Sequence, residues 1–214
     1  MIFVKFPEPG KVKTRLAKVL GDEEAAHAYR SLVARVAQNV VPPSGGDWAI
    51  WVVFDPAERE SEVREWLDPV FGGAIDAYLP QVRGDLGERM EQALGAGFAA
   101  GFGRVALIGS DCVDLDQDGI GECWRLLREE KDVVFGPAND GGYYLVGANA
   151  PGCTAGGIDV SPVLFNGVPW SDGRTLEVSK EVAAAAGLKI GELEPLGDVD
   201  EIEDWEALAA RDGR

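Results

Sequence analysis

Met1-Ile-Phe-Val-Lys5-Phe-Pro-Glu-Pro-Gly10-Lys-Val-Lys-Thr-Arg15-Leu16 is the stretch on which the reading of this chain turns. Its apolar start reads as a buried strand, Pro7, Pro9 and Gly10 turn the chain, and Lys13-Thr14-Arg15 opens a helix. Strand, glycine turn and helix start in that order make a layout that holds phosphate. Gly10 lets backbone approach an anion, free N–H groups at the helix start face it, and Lys11, Lys13 and Arg15 add charge. Residues 1–18 carry Lys5, Lys11, Lys13, Arg15 and Lys18 against the single acid Glu8, in a chain whose formal net charge is −17. Taken alone, the stretch reads equally well as a solvated basic face beside an ordinary Pro-Gly turn. It is not a Walker-type loop, because Val12 rather than glycine precedes Lys13-Thr14 and the earlier glycine of that pattern is missing.

Outward from this start, apolar runs alternate with helical stripes. A helix is expected over 23–41 from Tyr29, Leu32, Val33, Val36 and Val40, ending before the loop 42–46; His27 falls on its polar side. The run 49–54 (Ala-Ile-Trp-Val-Val-Phe) reads as a strand buried on both faces. A helix over 58–67, a strand over 76–82 and a helix over 88–102 behind Gly84-Asp-Leu-Gly87 follow. Residues 104–109 form the third clear strand, and Ile120, Cys123, Trp124 and Leu127 have helical spacing. Short strands over 132–136 and 143–147 flank Pro137-Ala-Asn-Asp-Gly-Gly142, a hairpin turn. Residues 148–174 show no periodicity; a helix over 175–186, a strand over 188–193 and a helix over 201–210 close the chain. The alternation predicts one α/β domain over 1–214, an open, mostly parallel sheet with helices on both faces. Ligands sit beyond the carboxyl ends of such strands. That rim would gather residues 5–15, Asp55, Asp85, Asp111 and Asp140.

The bulk charge repels nucleic acid backbones and anionic lipid, so no nucleic acid partner is expected and the anion should be small. No apolar run approaches a membrane span and no secretory leader is evident, so membrane insertion is not expected and a cytoplasmic protein is. Cys112, Cys123 and Cys153 are too scattered for a structural zinc site and are expected as buried thiols. The lone His27 rules out Ser-His-Asp and Cys-His chemistry unless it takes part itself, and its place on the polar side of a helix reads as solvated.

Asp111 follows an apolar strand and is joined by Asp114. Hard oxygen ligands of this kind suit magnesium or manganese bound together with phosphates, although Asp111 could instead cap the next turn. Asp116 and Asp118 read as solvated. Asp114-x-Asp116-x-Asp118-Gly119 imitates half an EF-hand, but its twelfth position is Arg125 and a strand precedes it. Gly141 and Gly142 are explained by the hairpin alone, or let a sugar or acceptor lie against the backbone with Asp140 as hydrogen-bond acceptor or base. Asp198 and Asp200 complete a metal site or start the last helix.

Phe6 to Leu16, Gly84-Asp-Leu-Gly-Glu-Arg-Met90, Ile108-Gly-Ser-Asp-Cys112, Gly136-Pro-Ala-Asn-Asp-Gly-Gly-Tyr-Tyr-Leu145 and Asp198-Val-Asp200 together resemble the signature blocks of the DUF2064 family. The resemblance implies a GT-A type nucleotide-diphospho-sugar transferase fold and similarity to phospholactate guanylyltransferases. It implies that Pro9, Gly10, Lys13, Thr14 and Arg15 hold nucleotide phosphates and that Asp85, Leu86 and Gly87 lie near the base or ribose. By the same resemblance Asp111 holds Mg2+ or Mn2+, with Asp198 and Asp200 in a second acidic block. Val113 replaces the family's proline, and Trp170-Ser171-Asp172 departs from its Trp-Ser-Thr.

Three functions are compatible with these residues. In the first, a metal-dependent glycosyltransferase uses a nucleotide sugar and a small acceptor, with Lys13 and Asp140 catalytic and Asp140, Gly141 and Gly142 at the acceptor. In the second, a nucleotidyltransferase joins a nucleoside triphosphate to a phosphorylated acceptor. The third is a nucleotide-binding module without turnover.

Overall fold

The computed structural model describes residues 1–42, 46–154, 156–170 and 172–212; part of the expected loop 42–46 and Ser171 lie outside them. Strands β1 (Ile2–Lys5), β2 (Ile50–Asp55), β3 (Ile75–Pro80), β4 (Arg104–Ile108), β5 (Val133–Pro137), β6 (Tyr143–Asn149) and β7 (Ile190–Glu192) form one sheet in the order β3-β2-β1-β4-β6-β5-β7. The β1–β2, β1–β4, β2–β3 and β5–β7 pairs are parallel. β6 alone runs antiparallel to both its neighbours. The turn 138–142 is too short for a crossover, so β6 must return beside β5 in the opposite direction.

The helices are α1 (Thr14–Leu20), α2 (Asp22–Val40), α3 (Glu60–Val70), α4 (Leu86–Ala99), α5 (Gln117–Glu129), α6 (Ser161–Leu164), α7 (Thr175–Ala185) and α8 (Ile202–Asp212). Two apolar layers form on the two faces of the sheet. Ile2, Val4, Val52, Phe54 and Ile108 pack with Leu32 and Val36 of α2, Leu67 of α3 and Leu127 of α5. Val53, Val105, Leu107 and Val146 pack with Leu94 of α4, Leu164 of α6 and Ala183 of α7. Both faces of the middle strands are thus covered, which is why 49–54 reads as an unbroken apolar run.

Several boundaries differ from the sequence expectation for local reasons. α4 starts at Leu86 because Asp85 and Glu88 form a reciprocal capping box. α3 runs on through Pro69 to Val70. The region 148–174 contributes the end of β6, a 3-10 turn at Pro151–Cys153 and the single turn α6, with Val160, Leu164, Phe165 and Val168 buried. These pieces are too short to leave a periodic signal. His27 is exposed, as its place on α2 implies. Cys112 and Cys123 are buried, but Cys153 is exposed, because the 3-10 turn carrying it lies at the surface. Among the described residues no helix is long and apolar enough to cross a membrane.

Candidate active site

The strand order reverses at β1, whose neighbours β2 and β4 are reached by connections on opposite sides, so a crevice opens beyond β1 and β4. Because β6 runs backwards, its first residue meets the same rim and brings the turn 138–142 there. Leu196 bridges Ala138 in parallel fashion, and Val199 N donates to Asp111 O at 3.2 Å, which carries 198–200 in beside Asp111.

Lys13 stands at the centre of this crevice. It precedes α1 in the left-handed conformation (φ 44, ψ 48), the one non-glycine residue with positive φ among those described. Such a conformation costs about 1–2 kcal/mol and persists where the side chain is strongly held. Lys13 Nζ donates to Asp111 Oδ2 at 2.7 Å and to Asp200 Oδ1 at 3.3 Å, and its side chain is only 5% exposed. Burial pushes the ammonium pKa down, but the charges and hydrogen bonds of Asp111 and Asp200 outweigh it and the net shift is upward. Arg15 NH1 donates to Asp200 Oδ2 at 2.8 Å and lies 3.5 Å from Glu201. Pro9, Gly10, Thr14 and Arg15 are exposed along the rim. The room left by the missing side chain of Gly10 (φ 75) faces the Asp22 carboxylate, 3.3 Å from a Cβ built there.

Asp111 is set from behind. Lys5 N donates to the Tyr29 hydroxyl at 3.0 Å, and that hydroxyl shares a hydrogen bond of 2.9 Å with Ser110 Oγ. Burial pushes the Tyr29 phenol up to about 12, so it stays a neutral link between α2, β1 and the end of β4. Sequence reading places Tyr29 only in the apolar stripe, which gives no hint of the partners its hydroxyl finds. Asp114 pairs with Arg211 instead of joining Asp111. Asp116 caps α5 through Gly119 N at 3.0 Å, and Asp118 is exposed. The opening of α8 is capped by Asp204, whose Oδ2 accepts from Asp200 N and Glu201 N, so the Asp198 and Asp200 side chains are left for the crevice.

A cavity of about 520 Å³ runs from this cluster across the sheet. It is lined by Phe3, Leu107 and Val146 of the sheet, by Leu86 and Met90 of α4, by Trp170, Asp172 and Thr175, and by Gly142, Tyr143 and the exposed Asp140. Of the segment 85–87, Asp85 is engaged in capping, Leu86 lines the cavity, and Gly87 lies beneath Trp170. Asp140 Oδ1 accepts from Gly142 N at 2.8 Å. Gly141 (φ 88) packs against backbone, since a Cβ there would lie 2.0 Å from the Gly173 carbonyl oxygen. Its hydrogen faces the protein, while Gly142 faces the cavity.

Among the described residues no three or more His, Cys, Asp or Glu side chains converge closely enough to hold a metal ion as they stand. The donor chemistry nevertheless suits a hard divalent cation. Asp111 and Asp200 are close enough to share one ammonium group, and Asp198 Oδ1 is buried without a hydrogen-bond partner. Lys13 supplies the positive charge these carboxylates need. Burial, then Asp111 and Asp140, push the Asp198 carboxyl up to about 7, against the opposing pull of Lys13. A carboxyl raised in the folded state takes up a proton on folding, so it costs stability increasingly from the unfolded pKa near 4 up to about 7, and fully above that. Asp198→Asn in EDTA should therefore melt higher than the native chain at pH 8, with the gain shrinking towards pH 4; an equal or lower melting temperature at pH 8 would contradict this.

Comparison with known proteins agrees with this architecture. Residues 43–172 match the family DUF2064, described as an uncharacterized protein conserved in bacteria. No curated protein matches the chain. A solved structure from Desulfovibrio desulfuricans G20, provisionally named a nucleotide-diphospho-sugar transferase, is 32% identical with a TM-score of 0.82 over 97% of this chain and 84% of that one. A nucleotidyl transferase from Methanothermobacter is similar at 16% identity and TM-score 0.62, over 98% and 95% of the two chains. Glucosyl-3-phosphoglycerate synthase from Mycobacterium tuberculosis, solved with Mn2+, UDP and glucosyl-3-phosphoglycerate, is similar at 14% identity and TM-score 0.53, over 86% and 73%. The last two share the fold. The sheet with its helices is thus that of the nucleotide-diphospho-sugar transferases.

Proposed function

The chain belongs to the DUF2064 family, and from that premise we propose that it is a metal-dependent transferase that takes a glycosyl group from a nucleotide-diphospho-sugar. The observation that carries this reading is the clasp of Lys13 and Arg15 on Asp111 and Asp200, at the crevice where such folds bind ligands. An otherwise acidic molecule pairs two cations with two carboxylates there, with Asp198 also lining the cavity, groups that suit a polyphosphate and its counter-cation. Gly10 and Thr14 would offer rim N–H groups to the phosphates, Pro9, which has none, shapes the turn, and Leu86 offers an apolar surface to the nucleoside.

Lys13 and Arg15 would stabilise the charge that grows on the departing diphosphate. Asp111, Asp198 and Asp200 would hold Mg2+ or Mn2+, which when bound supplies further neutralisation of that diphosphate. Asp140, steadied through its Oδ1 by Gly142 N, keeps Oδ2 for an acceptor hydroxyl, whose proton it would take as the hydroxyl attacks. Nucleotidyl transfer would use the same cradle with a nucleoside triphosphate, and the two reactions part at the leaving group.

The test is a thermal-shift screen of nucleotides and nucleotide sugars with and without Mn2+, followed by product identification for whatever binds. A nucleoside diphosphate or nucleotide sugar should stabilise the native chain in Mn2+, Asp111→Asn should lose that dependence, and turnover should release nucleoside diphosphate. Release of pyrophosphate would turn the assignment to nucleotidyl transfer. Binding without turnover across all acceptors would leave a binding module, and no stabilisation by any nucleotide would remove the site.

A further inference from the structure

The cavity has a one-sided charge inventory. Among the described residues lining it, Arg15 is the only cation, against Asp140, Asp172, Asp198 and Asp200. On the donor reading above, Arg15 and Lys13 are committed to the diphosphate, and Asp198 and Asp200 to the cation that accompanies it. The second substrate then meets Asp140, Asp172 and the indole of Trp170, and among the described residues no further cation lines the cavity there. Arg174 N donates to Asp172 Oδ1 at 2.9 Å and its NH2 to Oδ2 at 3.4 Å, but its side chain is 67% exposed and it does not line the cavity.

This end of the cavity is preformed. The indole fits against α4 where residue 87 lacks a side chain, a Cβ there standing 2.6 Å from its Cζ2, and Phe165 packs on it with ring centroids 6.2 Å apart. Thr175 Oγ1 lies 2.7 Å from both the Pro169 and the Asp172 carbonyl oxygens, and Leu176 N donates to Gly141 O at 2.9 Å, which ties 172–176 to the turn 138–142. An indole that lines a cavity together with two carboxylates offers a surface to the apolar face of a ring or to an ammonium group, and the carboxylates repel an anion.

We propose that the acceptor is an uncharged or amine-bearing hydroxyl compound, seated on Trp170 with its polar edge at Asp140 and Asp172, and that this site rejects phosphorylated and carboxylated acceptors. The proposal rests on the nucleotide-sugar reading. It distinguishes glycosyl transfer from any transfer to an acceptor phosphate by the charge of the pocket alone.

Four matched probes test it: phenyl β-D-glucoside, its 6-amino-6-deoxy analogue, its 6-phosphate and the corresponding phenyl glucuronide, titrated by calorimetry into the native full chain with and without Mn2+ and nucleoside diphosphate. The neutral and amino probes should bind at least about tenfold more tightly than the two anionic ones, and Trp170→Ala should weaken both by about tenfold, the worth of one good ring contact. Should Trp170→Ala fail to fold, Asp172→Lys, a change at a half-buried side chain whose only side-chain ion pair among the described residues is with Arg174, should reverse the order in favour of the phosphate. Tighter binding of an anionic probe to the native chain, equal affinities, no binding by any of the four, or an unchanged order in Asp172→Lys would overturn the proposal. Nucleoside diphosphate is titrated separately: loss of that binding removes the donor reading, whereas the order among the four glucosides decides the acceptor.

Discussion

Lys13→Met should bind a nucleoside diphosphate about 100-fold more weakly than the native chain in the presence of Mn2+, and should bind Mn2+ alone more tightly. The two changes have opposite signs because the proposed function gives Lys13 two roles. In the free protein its ammonium neutralises Asp111 and Asp200 at 2.7 and 3.3 Å, so a divalent cation must compete with it. Once that cation is bound, the displaced ammonium is available to the phosphates. Methionine fills a similar volume and removes the charge, which leaves the carboxylates open to Mn2+ and takes a charge-assisted hydrogen bond from the nucleotide. Without metal the variant should melt lower than the native chain, since two carboxylates have lost their counter-charge, and Mn2+ should restore much of the difference. Calorimetric titration of Mn2+ first, and of nucleotide into the loaded protein second, reads both signs. Unchanged affinities for both ligands would mean that Lys13 serves only the fold.

The largest effect on stability is expected from Gly141→Ala. The residue has φ 88, where an alanine is strained by about 1–2 kcal/mol, and the new methyl would sit 2.0 Å from the Gly173 carbonyl oxygen. That contact is with backbone, so relief requires the turn 138–142 and the segment 172–175 to separate, adding about 1–3 kcal/mol. Together these correspond to a fall of roughly 10 °C in melting temperature for a domain of this size. Because Leu176 N bonds to Gly141 O, the same displacement would move both Asp140 and the wall carrying Trp170, and turnover should fall with stability. Gly142→Ala is the control: it has no positive φ, and its nearest contact is the Asp140 carboxylate at 3.1 Å. Equal melting temperatures for the two variants would contradict the close approach at Gly141.

The same pair of glycines shows how far local pattern carries. Asn139-Asp-Gly-Gly142 announces a hairpin, and β5 and β6 form one. That Gly141 is used to approach Gly173, with Gly142 facing the cavity, depends on a segment that shows no periodicity and whose packing comes from Val160, Leu164, Phe165 and Val168. Asp85 illustrates the converse. Its place before a helix, with Glu88 three residues on, is a capping pattern visible in the sequence, and the hydrogen bonds of 2.8 and 2.9 Å are those of such a box. Asp114 could not be sorted from Asp111, Asp198 and Asp200 by spacing, because a carboxylate's role is set by what lies opposite it, which for Asp114 is Arg211.

Residues close along the chain determined the strands, the helices, the α/β alternation and the basic opening in an acidic protein, since periodicity and local charge are properties of neighbours. The tertiary structure decided which groups meet. Lys13 reaches Asp111 across 98 positions and Asp200 across 187, contacts that exist only because the sheet orders its strands β1-β4-β6-β5-β7 and brings the ends of β1 and β4 and the stretch after β7 to one rim. Coulombic energy falls with distance through space and is indifferent to distance along the chain, so the positive opening acquired its partners only when the backbone folded.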